Sequence, residues 1–219
     1  MYPPKHFKKN EDESHKLSAV IIDNPLATLL ININEPLPHI SHIPFHFSGC
    51  QSSYDSPSEI ENQVLIAHVS NHHPLAKILL TQEQIQVSLV FHGEQGYISP
   101  HCHDNVEGNI NGQVVPTWNY AKVQVTGIAT GILTPEEKYQ QMKISSQHFE
   151  REQENPWEIT EVSDKKIRQM LSAITFFEVS INTIKGNFKL SQNKAEQVKK
   201  LIAEKLIRKD KAKLAAQIL

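Results

Sequence analysis

Cysteine is scarce in this chain. Cys50 and Cys102 are the only two in 219 residues, too few for a disulfide framework, and in a cytoplasm both stay reduced. Long apolar runs are also missing: stretches such as Pro25 to Ile31 fall far short of the roughly 20 residues that cross a bilayer, so no membrane span is expected. The opening MYPPKHFKKN lacks the continuous apolar segment of a signal peptide, and the expected address is cytoplasmic. Charge of one sign is not in excess. A formal net charge of −2 supplies no broad positive field of the kind nucleic-acid binding rests on. The one basic stretch, Lys194 to Leu219, holds eight Lys or Arg against Glu196, Glu204 and Asp210, and it reads first as the solvated face of an amphipathic helix. Neither GxGxxG nor the P-loop pattern occurs, which excludes the usual nucleotide-phosphate cradles.

What is present is a series of strand-like segments with helices late in the chain. SAVIIDNPLATLLININ reads as a short helix ending near Asn24, where Pro25 stops it, followed by a buried strand from Leu26 to Ile33. HISHIPFHFSG and VLIAHVS are further strands, separated by the polar loop QSSYDSPSEIENQ, and NHHPLAKILLTQ carries a turn or short helix from Pro74. Gln86 to Phe91 alternates, with Val87, Leu89 and Phe91 on one face, and GYISP continues extended after a glycine-bounded turn. DNVEGNINGQ is a polar loop. Thr134, Pro135, Glu136 and Glu137 form a helix start, running to about Glu152. A cap at Ser163 opens another helix, FFEVSINTIKG returns to strand, and Asn193 caps a long terminal helix. Six or seven short strands with helices inserted late predict a mainly β (α+β) barrel or sandwich with packed helices. The expected organisation is one domain, 1–219, with helical additions at about 134–172 and a C-terminal helix at about 194–219.

VVPTWNYAKVQV raises the functional question. Strand alternation puts Ala121, Val123 and Val125 on one face and Trp118, Tyr120, Lys122, Gln124 and Thr126 on the other. If the small apolar set faces the core, the two aromatics stand on the opposite face and need a cover: a partner chain, a ligand or another element.

Several words in this sequence resemble one family, the PaiB-type proteins known as FMN-binding negative transcriptional regulators. They are MYPPKHF, SHIPF (41–45), AHVSNHHP (67–74), GYISP (96–100), VPTWNY (115–120) and GNFKLSQN (186–193), in matching order over most of the chain. The resemblance implies a split β-barrel of the FMN-binding type, a homodimer with flavin sites at the subunit interface, and FMN as cofactor. It implies cofactor-binding roles for His68, Tyr97, Ser99, Trp118, Asn119, Tyr120, Lys189, Ser191, Gln192 and Asn193. An isoalloxazine ring gains from aromatic walls and its phosphate from cations and donors. Lys189, Ser191, Gln192 and Asn193 offer the latter just before a helix N-terminus, which favours an anion. At Asn71 and His73 the sequence departs from the Arg and Asn of the family pattern, and at Cys102 and His103 from its aromatic pair, which implies weaker FMN binding, a changed set of contacts, or loss of the cofactor.

Histidine is abundant: nine of 12 lie between His39 and His103. HCHD at 101–104 presents metal-competent ligands, and on an extended chain His101 and His103 share a face, yet a full site would need His68, His72, His73 or His92 as well. Solvated loop histidines are the simpler reading, and no metal is assigned. Cys102 beside two imidazoles lacks an identifiable orienting group, so a hydrolase is not expected. The leading expectation is a dimeric flavin-binding split barrel, with flavin-dependent oxidoreductase activity left open and no catalytic residue named. The alternatives are a DNA-binding repressor using the basic C-terminal helix, although no helix-turn-helix is evident, and a haem- or metal-binding barrel.

Overall fold

The computed structural model describes residues 14–32, 38–49, 56–82, 84–103, 115–132 and 134–219. The motif MYPPKHF, Cys50, Asp104 and the loop DNVEGNINGQ lie outside the described residues. Seven strands are formed: β1 (Leu26–Ile31), β2 (His39–Pro44), β3 (His46–Phe47), β4 (Val64–Ser70), β5 (Ile85–Ile98), β6 (Thr117–Ile132) and β7 (Ile174–Lys189). Their order is β2-β1-β5-β6-β7-β4-β3, with every pairing antiparallel. β2 and β3 are one run interrupted only at Phe45. That run pairs with β1 on one side and with β4 on the other, so both ends of the sheet meet in it and the barrel closes. Phe45 sits inside this junction, edge-to-face with Phe91 at 6.2 Å and with Phe177 at 5.7 Å, which gives the barrel an aromatic centre.

The helices are α1 (Ser14–Asp23), α2 (Pro57–Glu61), α3 (Pro74–Thr81), α4 (Pro135–Glu150), α5 (Asp164–Leu171), α6 (Glu196–Ile207) and α7 (Ala212–Ile218). α4 starts as its sequence requires, with Thr134 Oγ1 accepting from the Glu137 N–H at 3.3 Å. α4 and α5 cover the outer side of β4 and β7 through a second apolar cluster around Ile66, Ile167, Leu171 and Phe176. None of the described helices is long and apolar enough to cross a membrane.

Four local expectations are corrected. The strands are not all short: β5, β6 and β7 span 14, 16 and 16 residues. The glycine-bounded turn expected before GYISP is a bulge between His92 and Gln95 inside a continuous β5. There Gly96 is set by packing, because a Cβ on it would stand 2.7 Å from Leu214 Cδ2. Asn193 is not the terminal helix cap. Ser191 takes φ 59° and the Lys194 N–H bonds the Ser191 carbonyl at 2.9 Å, a turn that delays α6 until Glu196, with Ala195 at its cap.

The long C-terminal helix is instead two. The chain reverses at Asp210, φ 56°, where the Lys211 N–H returns to the Leu206 carbonyl at 3.0 Å. The break lets both apolar faces reach the barrel, Val198, Ile202 and Leu206 from α6 and Leu214, Ala215 and Ile218 from α7.

Candidate functional site

The alternation of β6 holds in space. Ala121, Val123 and Val125 are fully buried, whereas Trp118 is 55 % exposed, and Tyr97, its direct partner on β5, is 46 % exposed. The two rings meet edge-to-face at 6.2 Å. Cross-strand register extends this pair into rows over the outer face of β5, β6 and β7. Gln95, Tyr120 and Lys189 form one row, and His92, Lys122 and Asn187 the next. Then come Val90, Gln124 and Lys185, followed by Ser88, Thr126 and Thr183. Thr126 and Thr183 close the last row by a 2.7 Å hydroxyl pair.

His92, Lys122 and Asn187, with Val90, Gln124, Ser88 and Thr126 beyond them, floor a groove of about 710 Å³ that continues over β1; the aromatic pair and Lys189 stand outside its lining. Lys122 Nζ donates to Gln95 Oε1 at 2.9 Å, and desolvation lowers its pKa. His92 Nε2 lies 2.9 Å from Thr28 Oγ1, which also meets His42 Nδ1 at 3.2 Å. Burial first, then the nearby Lys122 and His42, pull the His92 pKa down. Asn187 is buried, and its Oδ1 has no hydrogen-bond partner.

Among the expected cofactor residues, Tyr97, Ser99, Trp118, Asn119, Tyr120, Lys189, Ser191 and Gln192 gather at this end of β5, β6 and β7. They do not present themselves alike. Asn119 is buried and donates to Ser191 Oγ at 2.8 Å. Gln192 is consumed by its own turn, accepting from the Leu190 N–H at 2.7 Å and donating to the Phe188 carbonyl at 2.5 Å. These three build the turn that places Lys189. Lys189 Nζ donates to Thr117 Oγ1 at 2.5 Å. Ser99 accepts from the His101 N–H at 3.3 Å, in a 3₁₀ turn spanning Pro100–His103. That turn, and not an extended course, carries His101 to His103, and it tucks Cys102 into the core. Asn193 is exposed and three residues ahead of α6, whose first turn carries Glu196. The anion-favouring helix N-terminus expected at Asn193 is therefore displaced to a turn that already bears a carboxylate.

His68 stands apart, on β4, with its ring 4.9 Å from Phe176. Asn71 ties the end of β4 to β7, donating to the Ser172 carbonyl at 2.7 Å and accepting from Thr175 Oγ1 at 2.7 Å. Its side chain is thus used in holding strands together. His73 caps α3 by accepting from the Leu75 N–H at 3.1 Å. Among the described residues no group of three His, Cys, Asp or Glu is placed to hold a metal ion.

A histidine group missed by sequence reasoning lies under α4. His46 Nδ1 donates to the Phe47 carbonyl at 2.8 Å, leaving Nε2 to accept from Ser145 Oγ at 2.7 Å. His148 stacks on His46 at 5.0 Å. Burial, then His46 and then Arg151, lower the His148 pKa to about 4, and burial lowers His46 and His68 as well. The folded state thus favours neutral imidazoles. Their contribution is complete above 6.5, the ordinary value, and is lost as pH falls toward about 4. For His148, partly exposed, solvent screening leaves about 1 kcal/mol. Urea melts between pH 7.5 and 4.5 should show this loss, and His148→Asn should flatten that part of the slope; an unchanged slope refutes it.

The sequence profile of the family described as "Putative FMN-binding domain" matches residues 1–183. The chain belongs to this family. FMN is accordingly its cofactor. Relatives of this FMN-binding family member include an uncharacterized protein of Aspergillus fumigatus, 30 % identical over 80 % of this chain and 80 % of that one. Protease synthase and sporulation protein PAI 2 of Bacillus subtilis is 26 % identical over 90 % of this chain and 84 % of that one. Among solved structures, the FAD and heme binding protein of Mycobacterium smegmatis superposes with a TM-score of 0.58 at 15 % identity, over 86 % of this chain and 78 % of that one. The flavocytochrome Anf3 of Azotobacter vinelandii gives 0.51 at 16 % identity, over 80 % and 66 %. The fold of this family member is the flavin-binding type of split barrel. Its outer face suits FMN on chemical grounds: an aromatic pair for a flat ring, single lysines in the next two rows for phosphate or carbonyl oxygens, and a buried carboxamide oxygen lacking a donor.

Proposed function

We propose that this chain is a cytoplasmic homodimer that binds FMN on the outer face of β5, β6 and β7 and carries electrons through it. The observation that carries the reading is the exposed Tyr97 and Trp118 pair, with Lys189 one row and Lys122 two rows along the same face of the sheet. Exposed aromatics of this size, rimmed by polar side chains, mark an interaction surface. When bound, the flavin supplies the hydride and electron chemistry. The chain's own residues bind and orient. Trp118 and Tyr97 offer the ring an apolar wall, Lys189 offers the phosphate a cation held in place by Thr117, and Asn119, Ser191 and Gln192 fix the turn from which Lys189 projects. A second copy seated on the same face covers the aromatics and excludes water from the groove. His68, remote along β4, has no part in this set.

Titration of apo-protein with FMN, followed by flavin fluorescence, tests the reading. Saturable binding is expected, and Lys189→Ala should weaken it by about 1.5–3 kcal/mol with little change in melting temperature, since this is the scale of a hydrogen bond to a charged group. No saturable binding at high micromolar FMN would overturn it. A regulatory role would act through the cations Lys205, Arg208 and Lys209, which line one cavity beside Ser99. Binding to duplex DNA that falls steeply with salt supports that role; none at low salt removes it.

A further inference from the structure

Asn187 is the origin of this inference. Only 7 % of its surface is exposed, yet its Oδ1 has no hydrogen-bond partner. Buried carboxamides are nearly always paired, and an orphan acceptor is costly unless something binds it. The side chain lines the groove of about 710 Å³. Its cross-strand partner there is Lys122, whose Nζ is already steadied by Gln95 Oε1 at 2.9 Å. Neighbouring strands run about 4.8 Å apart, so the two residues stand on adjacent strands of one face, the Lys122 ammonium turned toward Gln95 on β5 and the Asn187 oxygen buried beneath the groove.

Resting on the flavin reading above, we infer that Asn187 and Lys122 are the residues that read the edge of the flavin ring. The matching ligand edge is a cyclic imide, an N–H flanked by carbonyl groups: the N–H donates to Asn187 Oδ1 and an adjacent carbonyl accepts from Lys122. Isoalloxazine carries such an edge at its pyrimidine end. The pair lies one row further along the strands than Lys189, and the Lys189 ammonium is held away from it by Thr117. Phosphate and imide edge thus have separate reading residues. A site built to accept an N–H rejects an analogue lacking it.

The test uses the full chain and two probes, FMN and 3-methyl-FMN, in which the imide N–H is replaced by N–CH₃. Affinity is read from quenching of flavin fluorescence, so no catalytic activity is needed. The wild-type chain should prefer FMN at least about tenfold. Asn187→Leu should bring that preference close to one, because the variant keeps bulk and loses the acceptor; Asn187→Asp, which keeps an acceptor, should retain it. Lys122→Met should weaken both probes alike, as the carbonyl it serves is present in both. Circular dichroism and melting curves confirm that each variant is folded. A wild-type preference near one overturns the inference, as does a preference that survives in Asn187→Leu, which would reflect steric exclusion of the methyl group alone. Equal affinities of Lys122→Met and wild type remove Lys122 from the assignment. Failure of the flavin reading itself looks different: neither probe then binds the wild-type chain.

Discussion

Trp118→Ala is expected to weaken FMN binding and self-association together, each by about 2 kcal/mol or more, the scale of an aromatic hot spot. Trp118 is 55 % exposed and touches Tyr97 edge-to-face at 6.2 Å, so most of its surface is held in reserve for something outside the barrel. On the proposed reading, truncation removes a ring wall from the cofactor and apolar area from a contact between two copies, and it leaves Tyr97 without its neighbour. The melting temperature of the separated chain should hardly move, because little of this surface is buried within one barrel. Sedimentation equilibrium and FMN titration on the same preparation check both halves. Loss of one property with the other unchanged would separate the cofactor wall from the interface, contrary to the account.

Gly127→Ala should cost about 3 kcal/mol of folding stability, through backbone displacement in a close-packed sheet. The register between β6 and β7 shifts between Thr126 and Gly127, and a Cβ at this position would collide with the Ser180 carbonyl oxygen and stand 2.8 Å from Val179 Cγ1. The nearest obstacle is backbone, which cannot swing aside as a flexible side chain would. The same shift sets the rows that align Lys122 with Asn187, so the variant should also lose FMN affinity. Denaturant unfolding of the two chains measures the difference; a change below about 1 kcal/mol would mean that the bulge absorbs a methyl group.

The parts of the fold that were legible in the sequence are those written in local chemistry. Period-two alternation placed Ala121, Val123 and Val125 in the core and Trp118 outside it, and Thr134 before Pro135 announced α4. Local rules failed where tertiary packing decided. Asp210 takes a left-handed conformation that non-glycine residues rarely adopt, since only a reversal there seats Leu214 and Ile218 on the barrel. Asn193 has good capping chemistry, yet the turn at Ser191 comes first. At the candidate site the aromatic words were visible, because a tryptophan and tyrosine on a polar strand face call for a cover. Lys122 and Asn187 were not singled out. Each looks like an ordinary polar residue on an outer strand face, and only the register between β6 and β7 makes them neighbours. The pairing of His46 with Ser145 was equally hidden, since 99 residues separate them.

A crystal structure of the full chain grown with FMN would show whether the cofactor lies on the outer face of β5, β6 and β7. Isoalloxazine density is expected against Trp118, with the phosphate at Lys189 and the ring edge at Lys122 and Asn187. Flavin density on any other surface, or an outer face closed by protein alone in crystals that contain bound FMN elsewhere, would contradict it.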